Sequence, residues 1–281
     1  MTTKQHTLGK SCTFTGKGLH TGATVTMTVM PAGVDHGIVF QREDLGGKRV
    51  RACIANVSGT RRSTLLRSGE ATVRTTEHLL SAMLAMGVDN ALVTLDSEEL
   101  PILDGSAAPY AQAFLQAGLL EQPSERRYIE IPRRLVCRGL FSSSRIVMEP
   151  SSETVFDVTI DFKSKVLGVQ NALWSEDGDY AEQVAPCRTF CFLSEVKALR
   201  AAGLIKGGAL DNALVIDEPN GYCNNDALKF PNECARHKLL DIIGDFALLG
   251  APVRGRITAY KPGHKINTKA ALLLARHLKE R

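Results

Sequence analysis

The 281-residue sequence contains few aromatic residues: ten Phe, five Tyr and one Trp. Proteins that bind single-stranded nucleic acid stack bases on such rings, so this scarcity argues against that class. The formal net charge is only +4, and no block of five like charges interrupts the chain. We therefore expect no nucleic-acid partner, whereas a small anionic ligand suits a mildly basic protein.

Long apolar runs are also absent. None reaches 18 residues, so no transmembrane helix is expected. The N-terminal sequence MTTKQHTLGK lacks the apolar core of a secretory signal.

Cysteine pairs are missing as well. The seven cysteines are odd in number and include no C-x-x-C pair, which is typical of scattered thiols in a reducing compartment. Cys187 and Cys191 could bind a metal, but no second pair with zinc-finger spacing accompanies them. We predict a cytoplasmic protein, and the sequence indicates no obligate protein partner.

The length of the chain corresponds to about two domains. The polar, linker-like stretch 120–128 follows a predicted helix at 109–117 that stops at Gly118. We therefore place the boundary there, with an N-terminal α+β domain over residues 1–122 and a C-terminal α+β domain over residues 128–281.

The two halves resemble diverged copies of one unit. Strand patterns at 25–29 and 37–41 correspond to those at 144–149 and 155–162. In each half a helical pattern and another strand follow, the strands at 91–95 and 256–260. This order predicts an α+β fold of two related domains that face each other.

The second copy is predicted to carry an insertion. The spacing from Pro31 to His78 is 47 residues, whereas that from Pro150 to His237 is 87. The excess of about 40 residues is expected within about 163–230, which includes the glycine-rich turn at 203–208.

The segment HKLLDIIGD at 237–245 is the first candidate for chemistry. At helical spacing His237, Asp241 and Asp245 are four residues apart in turn, so they share one face. An imidazole and a carboxylate one turn apart can chelate a metal ion. A surface His–Asp pair has the same spacing, so the pattern alone leaves both interpretations open.

A second candidate is the segment TTEH at 75–78. Thr75 or Thr76 can cap a helix, and the helix dipole favours an acid in its first turn. His78 could then be a third metal ligand, with Glu77 as a base beside the metal. Glu77 could equally be an acid that only matches the dipole. A general base at neutral pH also benefits from a raised pKa, so burial would have to offset the dipole.

A third candidate is the loop KPGHK at 261–265, between a strand and a final helix that Asn267 would cap. A histidine between two lysines in a Pro-Gly turn is well placed to meet an anionic substrate. A solvated basic loop would have the same composition.

Seven segments together resemble one family. They are GLHTG at 18–22, TEHLL at 76–80, GVDN at 87–90, PILDGS at 101–106, RTF at 188–190, RHKLLDIIGD at 236–245 and GH at 263–264. In this order they are similar to the zinc-dependent UDP-3-O-acyl-N-acetylglucosamine deacetylases of lipid A biosynthesis. The resemblance runs from about Lys4 to Leu278, so no fused dehydratase domain is expected within these residues.

The resemblance implies two α+β domains, each a sheet packed on helices, with the helices meeting in the middle and the active site between the domains. It also implies roles for individual residues. His78, His237 and Asp241 match the ligands of one Zn²⁺ per chain. Glu77 matches the general base, His264 the cationic acid with Asp245 as its partner, and Thr189 the hydroxyl that helps hold the carbonyl oxygen. Lys238 and Lys261 match positions near the diphosphate, Phe162 the ring stacked on uracil, and Phe190 a neighbouring substrate-binding ring.

The implied reaction is zinc-dependent hydrolysis of the 2-N-acetyl group of UDP-3-O-acyl-N-acetylglucosamine by a metal-activated water, with release of acetate. A non-catalytic UDP-sugar or acyl-chain binding protein on the same fold is the alternative, and a zinc amidase for another nucleotide sugar is a third possibility. The chain departs from the family at Cys191, where Gly is common, and at 204–209, where a Cys and a Ser are often seen. Both lie in the segment that would line the acyl passage, so acyl-chain preference stays open.

Overall fold

The computed structural model describes residues 4–140 and 142–279. Within the described residues, the first half contains ten strands and two α-helices. The strands are β1 (Lys4–Leu8), β2 (Cys12–Lys17), β3 (Thr24–Pro31), β4 (Ile38–Arg42), β5 (Lys48–Arg51), β6 (Val57–Gly59), β7 (Leu65–Ser68), β8 (Ala71–Arg74), β9 (Ala91–Leu95) and β10 (Leu119–Glu125), and the helices are α1 (Glu77–Met86) and α2 (Ala108–Ala117).

The second half has nine strands and four helices within the described residues. The strands are β11 (Ile129–Glu130), β12 (Leu135–Arg138), β13 (Arg145–Glu149), β14 (Thr154–Asp161), β15 (Val169–Ser175), β16 (Phe190–Phe192), β17 (Leu214–Asp217), β18 (Gly221–Tyr222) and β19 (Val253–Tyr260). The helices are α3 (Tyr180–Gln183), α4 (Leu193–Ala201), α5 (Glu233–Ala247) and α6 (His264–Lys279).

The main sheets of the two halves have the same topology. Their strand orders are β2-β3-β9-β4-β5 and β12-β13-β19-β14-β15, with β11 beside β19 in the second. Within each five-strand order the central strand, β9 or β19, runs parallel to one neighbour and antiparallel to the other, and β11 adds a second parallel partner to β19. The predicted α+β fold of two related halves is therefore confirmed.

Each half also places a small three-stranded sheet between the fifth strand of its main sheet and its central helix. The first half has β6-β7-β8 there, and the second has β16-β17-β18. Helix α4 joins β16 to β17. These elements of the second half lie in the segment predicted to hold the insertion.

The central strands show why these sequences fold this way. In β19 every second residue is buried, as in β9, because successive side chains of a strand point to opposite faces. Helix α5 packs on β14 and β15 of the second sheet, and the residues of α1 and α5 are themselves mostly buried. A helix buried on most sides lies between layers, and α1 and α5 indeed pack on each other where the halves meet.

The crossing of α1 and α5 is unusually close. A Cβ atom on Gly244 would lie 2.1 Å from the carbonyl oxygen of Glu77. Because no side chain fits in that gap, glycine lets the backbone of α5 touch the start of α1. This contact brings Glu77 and His78 beside the residues of α5.

The linker-like stretch at 120–128 is mostly a strand and not an irregular linker. Residues 119–125 form β10, which pairs antiparallel with β1, so only residues 126–128 separate the last strand of the first half from β11. Because β10 is largely exposed on one side, its polar composition resembles that of a linker. The division at 122 and 128 stays a prediction, and β10 extends three residues past it.

No helix among the described residues has both the length and the apolar composition needed to span a bilayer. All seven cysteines are free thiols.

Candidate active site and metal centre

A cavity of about 750 Å³ opens between the two halves, where α1 and α5 meet. Ten of the eleven predicted site residues line it. They are Glu77, His78, Phe162, Thr189, Phe190, His237, Lys238, Asp241, Lys261 and His264. The exception is Asp245, which is fully buried behind the cavity wall.

The helix geometry explains why Asp245 leaves the cavity. Eight residues beyond His237, its side chain is rotated by about 80° and displaced by about 12 Å along the axis. Asp241, only four residues on, stays close to His237. The face predicted to carry three site residues therefore presents two to the cavity, and the third lies beneath His264.

Three potential metal ligands converge at the floor of the cavity. His78, on α1, meets His237 and Asp241 on α5, and the ligand atoms of the three lie within 4.8 Å of one another. The imidazole rings of the two histidines are 5.0 Å apart, nearly perpendicular. Two imidazoles and a carboxylate form a donor set found in catalytic zinc sites.

The orientation of His237 fits a metal ligand. Its Nδ1–H donates to the carbonyl oxygen of Cys187 at 3.0 Å, which leaves Nε2 free and 3.5 Å from Asp241 Oδ1. Metal-binding histidines are commonly oriented by such a bond on the other ring nitrogen.

The charge states of the three residues also fit a divalent cation. Burial lowers the pKa of His78 to about 3 and also lowers that of His237, so both rings are neutral. Burial alone would raise the pKa of Asp241, but the neighbouring cations Lys238 and His264 help to hold that pKa below its usual range. Neutral imidazoles and an ionised carboxylate are the forms that bind metal.

A second group, Glu77, Asp241 and His264, also has ligand atoms within 4.8 Å. It is a poor metal site because His264 is cationic. Burial alone would lower the pKa of His264, but Asp245 and then Glu77 raise it to about 10. A protonated ring has no lone pair to offer a metal.

Glu77 is the first residue of α1 and is only 3% exposed. Burial raises its pKa to about 7, although His264 opposes the shift. Burial therefore outweighs the opposing effect of His264 and gives Glu77 the raised pKa that a general base at neutral pH benefits from. The Oε2 atom accepts the backbone N–H of Thr64 at 3.1 Å, and Oε1 lies 3.6 Å from His264 Nε2.

The predicted caps of α1 and α6 were wrong. The Thr76 side chain makes no capping bond. Thr75 has a left-handed φ of 58° and donates instead to Glu99 Oε1 at 2.8 Å. Helix α6 begins at His264, so Asn267 lies inside its first turn, where Oδ1 accepts the N–H of Gly263 at 3.2 Å.

His264 faces the cavity from the first position of α6. Its Nδ1–H donates to Asp245 Oδ2 at 3.0 Å, and the same oxygen accepts Asn267 Nδ2 at 2.9 Å. The buried carboxylate of Asp245 offsets the charge of the ring, which would otherwise be unfavourable at a helix N-terminus. His264 can therefore hold a proton beside Glu77.

The two lysines that line the cavity are engaged by carboxylates. Lys238 donates to Asp241 Oδ2 at 2.6 Å, and Lys261 lies 3.1 Å from Asp161 Oδ2. Lys238 thus lies next to a candidate metal ligand as well as facing the cavity. Sequence spacing could not have indicated the pairing of Lys261.

The aromatic residues form one cluster at the cavity wall. Phe162 is 43% exposed, and its ring packs edge-on against Phe190 at 5.5 Å. Phe190 in turn lies 6.3 Å from the ring of His237. The cluster therefore links the open side of the cavity to the candidate metal ligands.

Thr189 is held by its backbone on both sides. Its N–H donates to the Gly105 carbonyl and its own carbonyl accepts the Leu214 N–H, both at 2.8 Å. The neighbouring Arg188 is fixed by Glu233 at 2.8 Å. These bonds give the Thr189 side chain a defined place in the cavity.

An apolar cavity of about 360 Å³ adjoins the first one. Its apolar lining includes Leu193, Val196, Leu199, Ile205, Leu210 and Val215. Cys191 lines both cavities. The segment predicted to line an acyl passage thus contributes Cys191, Ile205, Gly208 and Ala209 to the wall of this cavity; its use as an acyl passage stays a prediction.

Sequence reasoning missed Thr64, and it gave Asn267 only the role of a helix cap, although both bind buried carboxylates. Thr64 belongs to no motif and is joined to the site only by the folded chain. Asn267 is three residues after His264 in a helix, which is the one local signal that placed it near the loop.

Comparison with known proteins adds an independent finding. Residues 5–276 match the family described as UDP-3-O-acyl N-acetylglycosamine deacetylase. A UDP-3-O-acyl-N-acetylglucosamine deacetylase of Anaeromyxobacter sp. (strain Fw109-5) is 43% identical over 94% of this chain and 86% of its own length. One of Phenylobacterium zucineum is 40% identical over 96% of this chain and 93% of its own length.

The chain is also similar to longer proteins. A bifunctional enzyme LpxC/FabZ of Porphyromonas gingivalis is 45% identical over 99% of this chain. The chain spans 65% of the length of that relative, just under two thirds.

Proposed function

The chain belongs to the UDP-3-O-acyl-N-acetylglucosamine deacetylase family, and we propose that it hydrolyses the 2-N-acetyl group of UDP-3-O-acyl-N-acetylglucosamine. The products are acetate and the free amine, and this is the committed step of lipid A biosynthesis. We place the reaction in the cytoplasm, which the free thiols support.

One observation carries the proposal. A metal-binding set, a carboxylate with a raised pKa and a cationic imidazole meet in one cavity between the halves. Paired titratable groups whose surroundings make one a base and keep the other protonated near neutral pH are typical of acid–base catalysis. A protein that only binds its ligand does not need this set.

His78, His237 and Asp241 would hold one Zn²⁺. When bound, Zn²⁺ polarises a carbonyl oxygen as a Lewis acid and lowers the pKa of water. Lys238 keeps Asp241 ionised by its hydrogen bond, so the site carries the negative charge that a dication requires.

Glu77 is the general base of the proposed reaction. Since Oε2 is occupied by the Thr64 N–H, Oε1 takes the proton of the water that attacks the amide carbon. The pKa of about 7 lets this carboxylate accept a proton at neutral pH.

His264 is the acid. Its Nδ1–H is committed to Asp245, so the proton at Nε2 is the one passed to the departing nitrogen as the C–N bond breaks. Before that step the positive ring stabilises the developing negative charge. The Thr189 hydroxyl donates to the same oxyanion, an interaction worth roughly 3–4 kcal/mol per donor in comparable sites.

The two cavities divide the substrate between them. Phe162 offers an exposed ring for uracil, with Phe190 packed against it. Lys261 can exchange its carboxylate partner for the diphosphate, whereas Lys238 gives one ammonium hydrogen to Asp241 and has two others to offer the diphosphate. The apolar cavity beyond Cys191 takes the acyl chain, whose burial would contribute about 0.8 kcal/mol per methylene.

The decisive experiment incubates the purified chain with UDP-3-O-acyl-N-acetylglucosamine and detects the free amine by mass spectrometry, with zinc measured on the same sample. Turnover that depends on zinc and is lost in Glu77→Gln supports the proposal. Tight binding of the substrate without product, at full zinc occupancy, would identify a non-catalytic binding protein instead.

A further inference from the structure

Thr64 is fully buried and joins several parts of the site through its polar groups. Its backbone N–H donates to Glu77 Oε2 at 3.1 Å. Its hydroxyl donates to Asp245 Oδ1 at 2.5 Å. Its carbonyl accepts the N–H of Thr75 at 3.1 Å, just before α1. One residue of the first half therefore contacts both the base and the partner of the acid.

The Asp245 carboxylate is held on both oxygens. Oδ2 accepts from His264 Nδ1 and from Asn267 Nδ2, whereas the hydroxyl of Thr64 is the donor to Oδ1 among the described residues. Without that donor the carboxylate could rotate about its Cβ–Cγ bond. The Thr64 hydroxyl thus determines the plane of the group to which the His264 ring is attached.

We propose that Thr64 is a positioning residue for the acid–base pair. Its hydroxyl orients Asp245, and through Asp245 the His264 ring, while its backbone N–H orients Glu77. Thr64 does not line the cavity and touches no reacting atom. This inference rests on the proposed function only for its kinetic consequence, because the geometry it assigns exists without turnover.

The chain offers a matched pair of buried threonines for the test. Thr76 is also fully buried, and its hydroxyl has no hydrogen-bond partner within the described part of the chain. Thr64→Val removes the donor to Asp245 but keeps the shape and the backbone bond to Glu77. Thr76→Val makes the same chemical change where no such bond exists.

We expect Thr64→Val to lower kcat by about 10- to 100-fold, the usual cost of losing a group that orients a catalytic residue. KM should change by less than about twofold, and zinc content should not change. Thr64→Ser retains the hydroxyl and should restore most of kcat. Thr76→Val should resemble the wild type.

A second readout does not require activity. The ¹⁵N and ¹H resonances of the His264 ring report its hydrogen bond to Asp245. They should shift in zinc-loaded Thr64→Val and stay in place in Thr64→Ser and Thr76→Val. If the wild type proves unable to deacetylate the substrate, the proposed function fails while these spectra still decide the role of Thr64.

Wild-type kcat together with unshifted His264 resonances in Thr64→Val would overturn the inference. If Thr64→Val does not fold, the pair Thr64→Ser and Thr64→Ala replaces it, since both lose the methyl group and only the second loses the hydroxyl. Equal kcat and equal spectra in that pair would likewise overturn it.

Discussion

Gly244 of α5 lies directly against the backbone of Glu77, so that a Cβ atom at 244 would be 2.1 Å from the Glu77 carbonyl oxygen. This contact is made by backbone, which cannot rotate away as a flexible side chain does. The closest approach of the two helices that carry the proposed metal ligands is therefore possible only because residue 244 has no side chain.

Gly244→Ala should force α1 and α5 apart. Overpacking of this kind costs about 1–3 kcal/mol or more, so the thermal midpoint should fall and zinc should bind more weakly. Calorimetry and zinc titration measure both effects. Gly33→Ala is the control, because nothing lies within 4 Å of a Cβ at Gly33. An equal midpoint in the two variants would contradict the proposed limit.

The metal-binding set predicts about one zinc per chain in the purified protein. Chelators should abolish activity, and added zinc should restore it. Replacing His78 or His237 by Ala removes one of three ligands, so zinc occupancy and activity should fall together. Elemental analysis of each variant provides the measurement. Full zinc occupancy in both single variants would rule out this ligand set.

Glu77→Gln should separate metal binding from catalysis. The amide keeps the shape of the side chain and can still accept the Thr64 N–H, but it cannot take a proton. We expect full zinc content and a fall in kcat of about 10²- to 10⁴-fold. Unchanged kcat would mean that another residue is the base, and His264 would be the first to test.

The pH profile of kcat/KM should be bell-shaped. The acidic limb follows ionisation of Glu77, whose pKa burial raises to about 7. The basic limb follows loss of the His264 proton, because Asp245 and Glu77 raise the pKa of that ring to about 10 against the effect of burial. Since the two groups interact, the limbs report the pair as a whole.

Two variants assign the basic limb. His264→Ala should weaken or remove it, because no imidazolium proton is left to lose. Asp245→Asn should move it to lower pH, because the carboxylate favours the charged ring. Zinc content should be the same in both variants. A basic limb that is unaltered in His264→Ala would exclude the acid role.

Much of the architecture could be read from periodicity. The alternation in 91–95 and 256–260 reflects strands that bury one face, and it reappears as β9 and β19 at the centres of two matching sheets. The four-residue spacing of His237 and Asp241 was equally informative, since one helical turn brings both to the cavity. These signals are local, and the folded chain preserves them.

What the sequence could not indicate depends on tertiary pairing. Residues 120–125 are polar, and only their partner β1 makes them a strand. Glu77 begins a helix, yet its pKa is governed by burial under the opposite half. Thr64 carries no motif and is brought to Asp245 across 181 positions of chain. No sequence pattern within a short window indicates contacts between residues so far apart in the chain.

The division of the proposed metal-binding set between the two halves has a consequence for how the protein assembles. His78 comes from one half and His237 with Asp241 from the other, so the complete set exists only after the halves have docked. An ion that binds the docked form alone stabilises it by mass action. Zinc availability would then govern the stability of the contact between the two halves of the chain. A chelator would first weaken that contact.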